Sequence, residues 1–218
     1  MFRRWQSRLP RIVQVQALEL PGRGLRSDEL PLTRIEPMVE DIARTVEQEL
    51  DRPFALFGHS MGALIAFELA HHLWRTQRRR PVCLFVSGHP APHIPPDRVI
   101  HNLPAPELIV ELRKYNGTPP DVLDNPELLD CLLPLIRADF ELTEMYRYTL
   151  RPPLECDIKV YGGTDDPDTS MEGLNKWQME TSKSCSVTVL PGDHFFVVRS
   201  QDSILKDIGH VLARAVFH

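Results

Sequence analysis

The sequence has little that would tie it to a metal, a membrane or a nucleic acid. Its four cysteines, Cys83, Cys131, Cys156 and Cys185, are scattered, form no CxxC pair and keep no metal-like spacing to histidine. Cys83 lies inside an apolar run, so buried free thiols and a reducing compartment are expected. No apolar stretch approaches the roughly 20 residues of a membrane span, and no signal-peptide pattern is present. A cytoplasmic protein is expected. Excess positive charge is missing too: 25 Lys and Arg against 30 Asp and Glu leave a net charge of -5. That is no footprint for nucleic acid, and the Arg78-Arg79-Arg80 run reads as a solvated connection. Internal repeats and low-complexity tracts are absent, and the 20 prolines fall between periodic segments rather than marking disorder. At 218 residues the chain can bury one good-sized core.

What is present is alternation. Residues 12–20 predict a strand, stopped by Pro21-Gly22-Arg23-Gly24. An amphipathic helix follows, with Ile35, Met38, Val39, Ile42, Ala43, Val46 and Leu50 at helical spacing. Thr33 with Glu36 offers it a capping box, or Pro37 its first helical position. Residues 54–57 predict the next strand, residues 63–70 a buried helix, and residues 82–87 a strand buried on both faces, as in a parallel sheet. The alternation then stops. From 91 to 153 there is no good strand, only proline-punctuated helical pieces at 107–115, ended by Asn116-Gly117, and at 126–148, where Pro134 should break or kink the helix. Strands resume at 157–161 and 186–190, joined by a link that turns Leu174 and Trp177 inward. A closing helix carries Ile204, Leu205, Ile208, Val211, Leu212 and Val216. The expected class is α/β, with a mostly parallel central sheet flanked by helices. Residues 1–90 and 154–218 form the core, and residues 91–153 form a helical insertion that is either a lid or a plain decoration.

The chain is organised around Gly58-His59-Ser60-Met61-Gly62, with an apolar strand leading in and an apolar helix leading out. That is the strand, sharp turn and helix of a nucleophile elbow. Strained backbone would lift the Ser60 hydroxyl clear of the sheet, with Gly58 and Gly62 bare because helix and strand come too close for a Cβ. The backbone N–H of Met61 would then face a developing oxyanion. The plain alternative is a serine in a tight turn. A serine nucleophile needs a base, and the base needs a carboxylate. Of nine histidines, His194 alone follows a late strand in a glycine-bearing loop. His59 is the variable position of the elbow, and His71, His72, His89, His93 and His101 suit surface or core roles, although His89 could line a pocket. Asp165, Asp166 and Asp168 all follow the strand ending at Tyr161. Asp166 is preferred because Pro167 fixes its backbone, with Asp165 as its rival. Asp193, beside the histidine, reads as surface.

Together with Leu20-Pro21-Gly22-Arg23-Gly24, Ile136-Arg137-Ala138-Asp139, Gly162-Gly163-Thr164-Asp165-Asp166-Pro167, Trp177 and Leu190-Pro191-Gly192-Asp193-His194-Phe195-Phe196, the elbow resembles the type II thioesterases. These stand-alone editing enzymes accompany nonribosomal peptide and polyketide synthases and are related to the medium-chain thioesterase of fatty acid synthesis. The resemblance covers nearly the whole chain. It implies an α/β-hydrolase fold, with Ser60 as nucleophile, Asp166 as orienting acid and His194 as base, and a helical lid over an acyl chamber. The implied reaction is hydrolysis of acyl or aminoacyl thioesters on the phosphopantetheine arm of carrier proteins. That arm belongs to the substrate, so no cofactor or metal is implied, and a monomer is expected. Arg23, Arg26 or the Arg78–Arg80 run could help a carrier dock. The sequence departs from the family pattern twice. Asp193 stands where a second glycine is usual before the histidine. The strand and aromatic-Pro-Tyr-Ala-Gly-Gly-like loop that supply a second oxyanion donor are not seen, since the sequence opens at Met1-Phe2-Arg3-Arg4-Trp5, which matches the helix after that loop. The expectation is that the native beginning is missing. The alternatives are a medium-chain acyl carrier protein thioesterase, an oxygen-ester hydrolase on the same fold, and a noncatalytic carrier-binding protein.

Overall fold

The computed structural model describes residues 2–115 and 117–216, without the side chains of Arg3 and Val216. Asn116 as a helix stop and Val216 in the closing stripe lie outside the described residues. Period-2 alternation builds the centre. In β2 (Cys83–Ser87) every residue is buried. Leu84 and Val86 face one apolar cluster with Phe67 and Trp177, while Cys83 and Phe85 face another with Trp5 and Ile208. Strands β1 (Leu56–His59) and β3 (Asp157–Gly163) flank it, and β4 (Cys185–Leu190) completes a four-stranded sheet in order β1-β2-β3-β4, parallel throughout.

The sheet is covered on both faces, as parallel pairing requires. On one face lies α2 (Met61–Gln77), whose Ala63, Ala66, Phe67 and Ala70 touch the strands. Its opposite side, Leu64, Ile65, Leu69 and Leu73, receives the whole apolar stripe of α1 (Ile35–Val46) and the following Leu50. The other face takes α8 (Gln201–Val216), through Ile204, Leu205 and Ile208, and the short turn of Phe2–Ser7. Between β2 and β3 come α3 (Ala105–Tyr115), α4 (Pro120–Leu123) and α5 (Pro126–Glu144). They share a separate cluster of Ile100, Leu108, Leu112, Leu123 and Leu129. The short α6 (Met171–Asn175) and α7 (Phe196–Arg199) follow β3 and β4. No helix among the described residues is long and apolar enough to cross a membrane.

Three expectations of secondary structure need correction. Residues 12–20 form no strand: Ile12 lies in a turn and the rest pair with no neighbouring strand. The side-chain amide of Gln6 takes the backbone bonds a neighbouring strand would have taken, donating to Val13 O and accepting from Val15 N at 3.0 and 2.8 Å. Neither expected start of α1 is used: Arg34 is its N-cap without a side-chain bond, and Pro37 falls third in the helix. Pro134 sits inside α5 without breaking it. That helix gains a firm start instead, since Asn125 Oδ1 accepts from the N–H groups of Glu127 and Leu128 and Pro126 occupies the first turn.

Polar ties brace the α3–α5 segment, and one of them joins it to the rest. Buried Glu144 accepts from the N–H groups of Ile100 and His101 at 2.8 and 3.1 Å, and Arg137 donates to His101 O. Arg23 reaches across from the Pro-Gly-Arg-Gly loop to Asp139 on α5 through two bonds of 3.2 and 2.6 Å. Burial pushes the Asp139 carboxyl up, and the Arg23 guanidinium only partly offsets it.

The elbow itself rests on one contact. Ser60 has φ 54 and ψ -125, a conformation costly for a residue with a Cβ, of order 1–3 kcal/mol. A Cβ on Gly58 would lie 1.9 Å from the Gly62 carbonyl oxygen, so only glycine lets α2 sit this close over β1. At Gly62 the expectation fails, because a Cβ there would meet nothing within 4 Å. The Ser60 N–H donates to Ser87 O at 2.8 Å, and Ser60 O accepts from Ala63 N at 2.8 Å.

Arg23→Met strands Asp139 in a half-buried place and should lower the urea-unfolding free energy by about 1–2 kcal/mol, between the values for exposed and buried pairs. The double variant Arg23→Met/Asp139→Leu should recover most of that loss. Gly58→Ala forces α2 off β1, and a thermal melt should show a loss of about 2 kcal/mol or more. Gly62→Ala should melt like the parent.

Candidate active site

Because all four strands run in one direction, their carboxyl ends form one rim, and the loops beyond β1, β3 and β4 meet there. β1 delivers Ser60. The loop after β3 delivers Asp166, and the loop after β4 delivers His194. The two loops are stitched together: Thr164 N donates to Leu190 O, Asp165 N donates to Gly192 O, and Gly192 N donates to Thr164 Oγ1, at 2.9, 2.9 and 3.1 Å. Neither Gly163 nor Gly192 has room to spare. A Cβ on Gly163 would fall 2.6 Å from Gly192 O, and Gly192 itself takes φ 128. The glycine before Asp193 thus carries the unusual backbone. Asp193 has no positive φ, and its carboxylate accepts from Phe195 N at 3.0 Å.

Ser60 Oγ lies 2.9 Å from His194 Nε2, and both Asp166 carboxylate oxygens lie 3.1 Å from His194 Nδ1. An ionised carboxylate only accepts, so Nδ1 carries the proton and Nε2 is left to accept from the serine hydroxyl. His194 and Asp166 are buried. Burial pushes the Asp166 carboxyl up, but its bond to His194, the charge of that ring and the donated Asp168 N–H outweigh it and hold the group below its ordinary 3.8. Asp165 is exposed and takes the Thr164 hydroxyl at 2.8 Å. The sheet therefore brings Asp166 rather than its rival onto His194. Met61 is the first residue of α2, so its N–H has no intrahelical acceptor and stands at the positive end of a 17-residue helix.

Two other histidines are engaged by buried carboxylates. His93 binds Glu180 and His101 binds Glu144, at 2.7 and 2.5 Å. His89 Nδ1 bonds to Pro90 O, and burial lowers its pKa. His71 on α2 is held at about 4 by burial and by the nearby Arg151. Over the triad stands Tyr115, the last residue of α3. Its ring is edge-on to His194 at 5.6 Å and packs on Phe140 of α5 at 5.7 Å. A Cβ on Gly117 would fall 2.2 Å from the Phe195 ring. The segment between β2 and β3 thus rests on the histidine loop. Sequence reasoning missed Tyr115, because nothing in a helix-ending tyrosine reveals the tertiary contact.

Asp166, Asp168 and His194 offer ligand atoms within 4.8 Å of one another, enough in principle for a cation. Two of the three already serve each other across the Asp166–His194 bonds. A cation bound there would take the Nδ1 lone pair and undo the polarity that leaves Nε2 free to accept, so the trio fits proton transfer better than metal binding. A cavity of about 530 Å³ lies at the other end of α2, lined by Glu68, His71, Trp74, Arg75, Tyr146 and Arg151 among others, and takes no part in this constellation.

A family model described as "Thioesterase domain" matches residues 1–212. The linear gramicidin dehydrogenase LgrE of Brevibacillus parabrevis is 41% identical over 97% of this chain and 82% of its own length. The gramicidin S biosynthesis protein GrsT of Aneurinibacillus migulanus is 41% identical over 94% of this chain and 80% of its own. Among solved structures, RedJ, a thioesterase from the prodiginine biosynthetic pathway in Streptomyces coelicolor, superposes with a TM-score of 0.91 at 39% identity, over 96% of this chain and 84% of its own. A family model spanning nearly every residue, with relatives this similar over nearly the same length, places the chain in the thioesterase family.

Proposed function

We propose that this thioesterase releases acyl and aminoacyl groups from the phosphopantetheine arm of carrier proteins, clearing stalled or wrongly primed carriers of a modular peptide or polyketide synthase. The observation that carries the reading is the chain of hydrogen bonds from Ser60 through His194 to Asp166. The biosynthetic pathways named for GrsT and RedJ support the choice of substrate. Ser60 Oγ attacks the thioester carbonyl while His194 Nε2 takes its proton, and Asp166 stabilises the imidazolium. The oxyanion points at the Met61 N–H and the positive end of α2. Collapse expels the pantetheine sulfur, which takes the proton from His194 and leaves an acyl-Ser60 ester. Water, deprotonated by the same nitrogen, then frees the acid. The pantetheine arm enters as substrate, and no further cofactor is required. Residues 91–153 act as the lid, with Tyr115 over the base. The dehydrogenase name of LgrE has no counterpart at this site, where the turn after β1 is Gly58-His59-Ser60-Met61-Gly62, a nucleophile elbow, rather than a dinucleotide-binding glycine fingerprint.

Release of acid from a carrier protein loaded with acetyl, aminoacyl or octanoyl groups tests the reading. Ser60→Ala should lower turnover by about 10⁴-fold or more. Fast release of the short groups supports editing, a strong octanoyl preference moves the enzyme to fatty acid termination, and failure on every loaded carrier with turnover only of oxygen esters sinks the proposal. Because Asp166 titrates below its ordinary value, it stays ionised from pH 5 to 8, and the acid limb of kcat/KM belongs to His194. Asp166→Asn should cost ~10³–10⁴ in kcat. It should also move that limb to lower pH, since the imidazolium loses its anionic partner.

A further inference from the structure

The residue before the nucleophile is a histidine in surroundings unusual for a titratable group. His59 ends β1, and its Nδ1 lies 3.0 Å from Ser87 Oγ at the end of β2. Its Nε2 is buried with no hydrogen-bond partner among the described residues. Burial above all, then the neighbouring His194, holds its pKa at about 3, so the ring is neutral wherever the enzyme works.

The ring is packed against the histidine loop. Its centroid lies 5.1 Å from that of His194, 5.7 Å from Phe195 and 5.9 Å from Phe196. Gly88 closes the remaining side: it holds φ 61, and a Cβ there would fall 2.7 Å from His59 Cε1 and 3.6 Å from His194 Cε1. One packed volume therefore contains both imidazoles and excludes even a methyl group.

An apolar ring could fill that volume, but only a side chain with a nitrogen at this position can also bond to Ser87 and so fix the plane of the ring. Ser87 is itself fully buried, and its carbonyl holds the Ser60 N–H. The same residue thus anchors the nucleophile's backbone and the ring beside the base. We propose that His59 is a positioning residue for His194, a neutral wall anchored on Ser87 that keeps the catalytic imidazole in line between Ser60 and Asp166 and keeps water from its side.

The consequence is measurable because it acts on the base's acidity. Among the described residues, the titratable groups around His194 include Asp166 and Asp168 from the loop after β3, the adjoining Asp193, His59 from β1, His89 from beyond β2 and Tyr115 from α3. Burial keeps both neighbouring histidines uncharged, so neither repels the imidazolium. The dry wall nevertheless denies that cation hydration. Removing the ring admits water, stabilises the imidazolium and raises the pKa of the base.

The proposal rests on His194 being the base, and the experiment separates the two. The pH dependence of kcat and kcat/KM for thioester hydrolysis is compared for the parent, His59→Asn, His59→Phe, Ser87→Ala and His194→Ala, with a thermal melt of each. His59→Asn keeps a group able to bond Ser87 but vacates the ring. It should move the acid limb up by about half a pH unit or more and lower kcat by about 10- to 100-fold. His59→Phe refills the volume without the anchor, so kcat should fall about tenfold with a smaller shift. Should His59→Asn not fold, Ser87→Ala, which leaves the ring and removes only its anchor, should still lower kcat and move the limb in the same direction. A folded variant at position 59 with the parental limb overturns the proposal, whether its kcat is unchanged or falls only with stability. So does a folded Ser87→Ala with parental kcat and limb. Retained turnover in His194→Ala removes the base assignment and this inference together.

Discussion

One contact sets the geometry on which everything else depends: the approach of the α2 amino terminus to the end of β1, with no room for a Cβ at Gly58. A serine does not adopt φ 54 and ψ -125 by preference. It is held there by a packed helix of buried alanines and leucines, by the sheet bond from its N–H to Ser87 and by the turn bond to Ala63. The apolar burial of α1, α2 and β2 therefore maintains the strain that presents the hydroxyl. The parallel sheet adds the rest, because it brings the Asp166 and His194 loops to the same rim without further design.

Electrostatics at that rim are arranged by subtraction as much as by pairing. The site has one depressed carboxyl, Asp166, against the one imidazole, His194, that is proposed to gain and lose a proton. The two other imidazoles beside it, His59 and His89, are kept uncharged by burial. Were either to titrate near neutrality, its charge would push the His194 proton off and blunt the base. A neutral neighbour also costs less to bury than a charged one. Burial thus serves stability and acid–base function through the same physical effect.

The elbow, the buried strand at β2, the stripe of α1 and the helix-only segment between β2 and β3 could be read from the sequence because each is a local pattern: a glycine-framed turn, an apolar run, a 3.6-residue period. The candidate triad residues were legible for a related reason, since each follows a strand in a loop with its own glycine or proline signal. What could not be read depends on tertiary partners. Residues 12–20 have strand-like composition, but a strand is defined by its neighbour, and Gln6 takes that place. Gly62 looks as constrained as Gly58, yet the space beside it is open. Arg23 and Asp139 are ordinary charged residues in sequence, and only the fold makes them a tie between the helical segment and the core, just as only the fold sets Glu144 against the segment's own Ile100.

That segment has a consequence for specificity. The cavity of about 530 Å³ lies along the carboxyl half of α2, while Ser60 caps the amino end, so it cannot be where an acyl group meets the nucleophile. What stands over the triad is Tyr115, backed by Phe140, while Phe195 packs on the His194 ring. α5 belongs to two cores at once: Leu129 lies in the cluster of the helical segment and Leu142 in the cluster of α1 and α2. Its carboxyl half is therefore fixed by the Leu142 packing and by the Arg23 tie. The region free to accommodate different acyl groups is the remainder, α3, α4 and the amino half of α5. A change of acyl preference in this protein should come from residues such as Tyr115, which faces the triad from α3, and not from the sheet, whose packing is already committed to holding Ser60 in its strained turn.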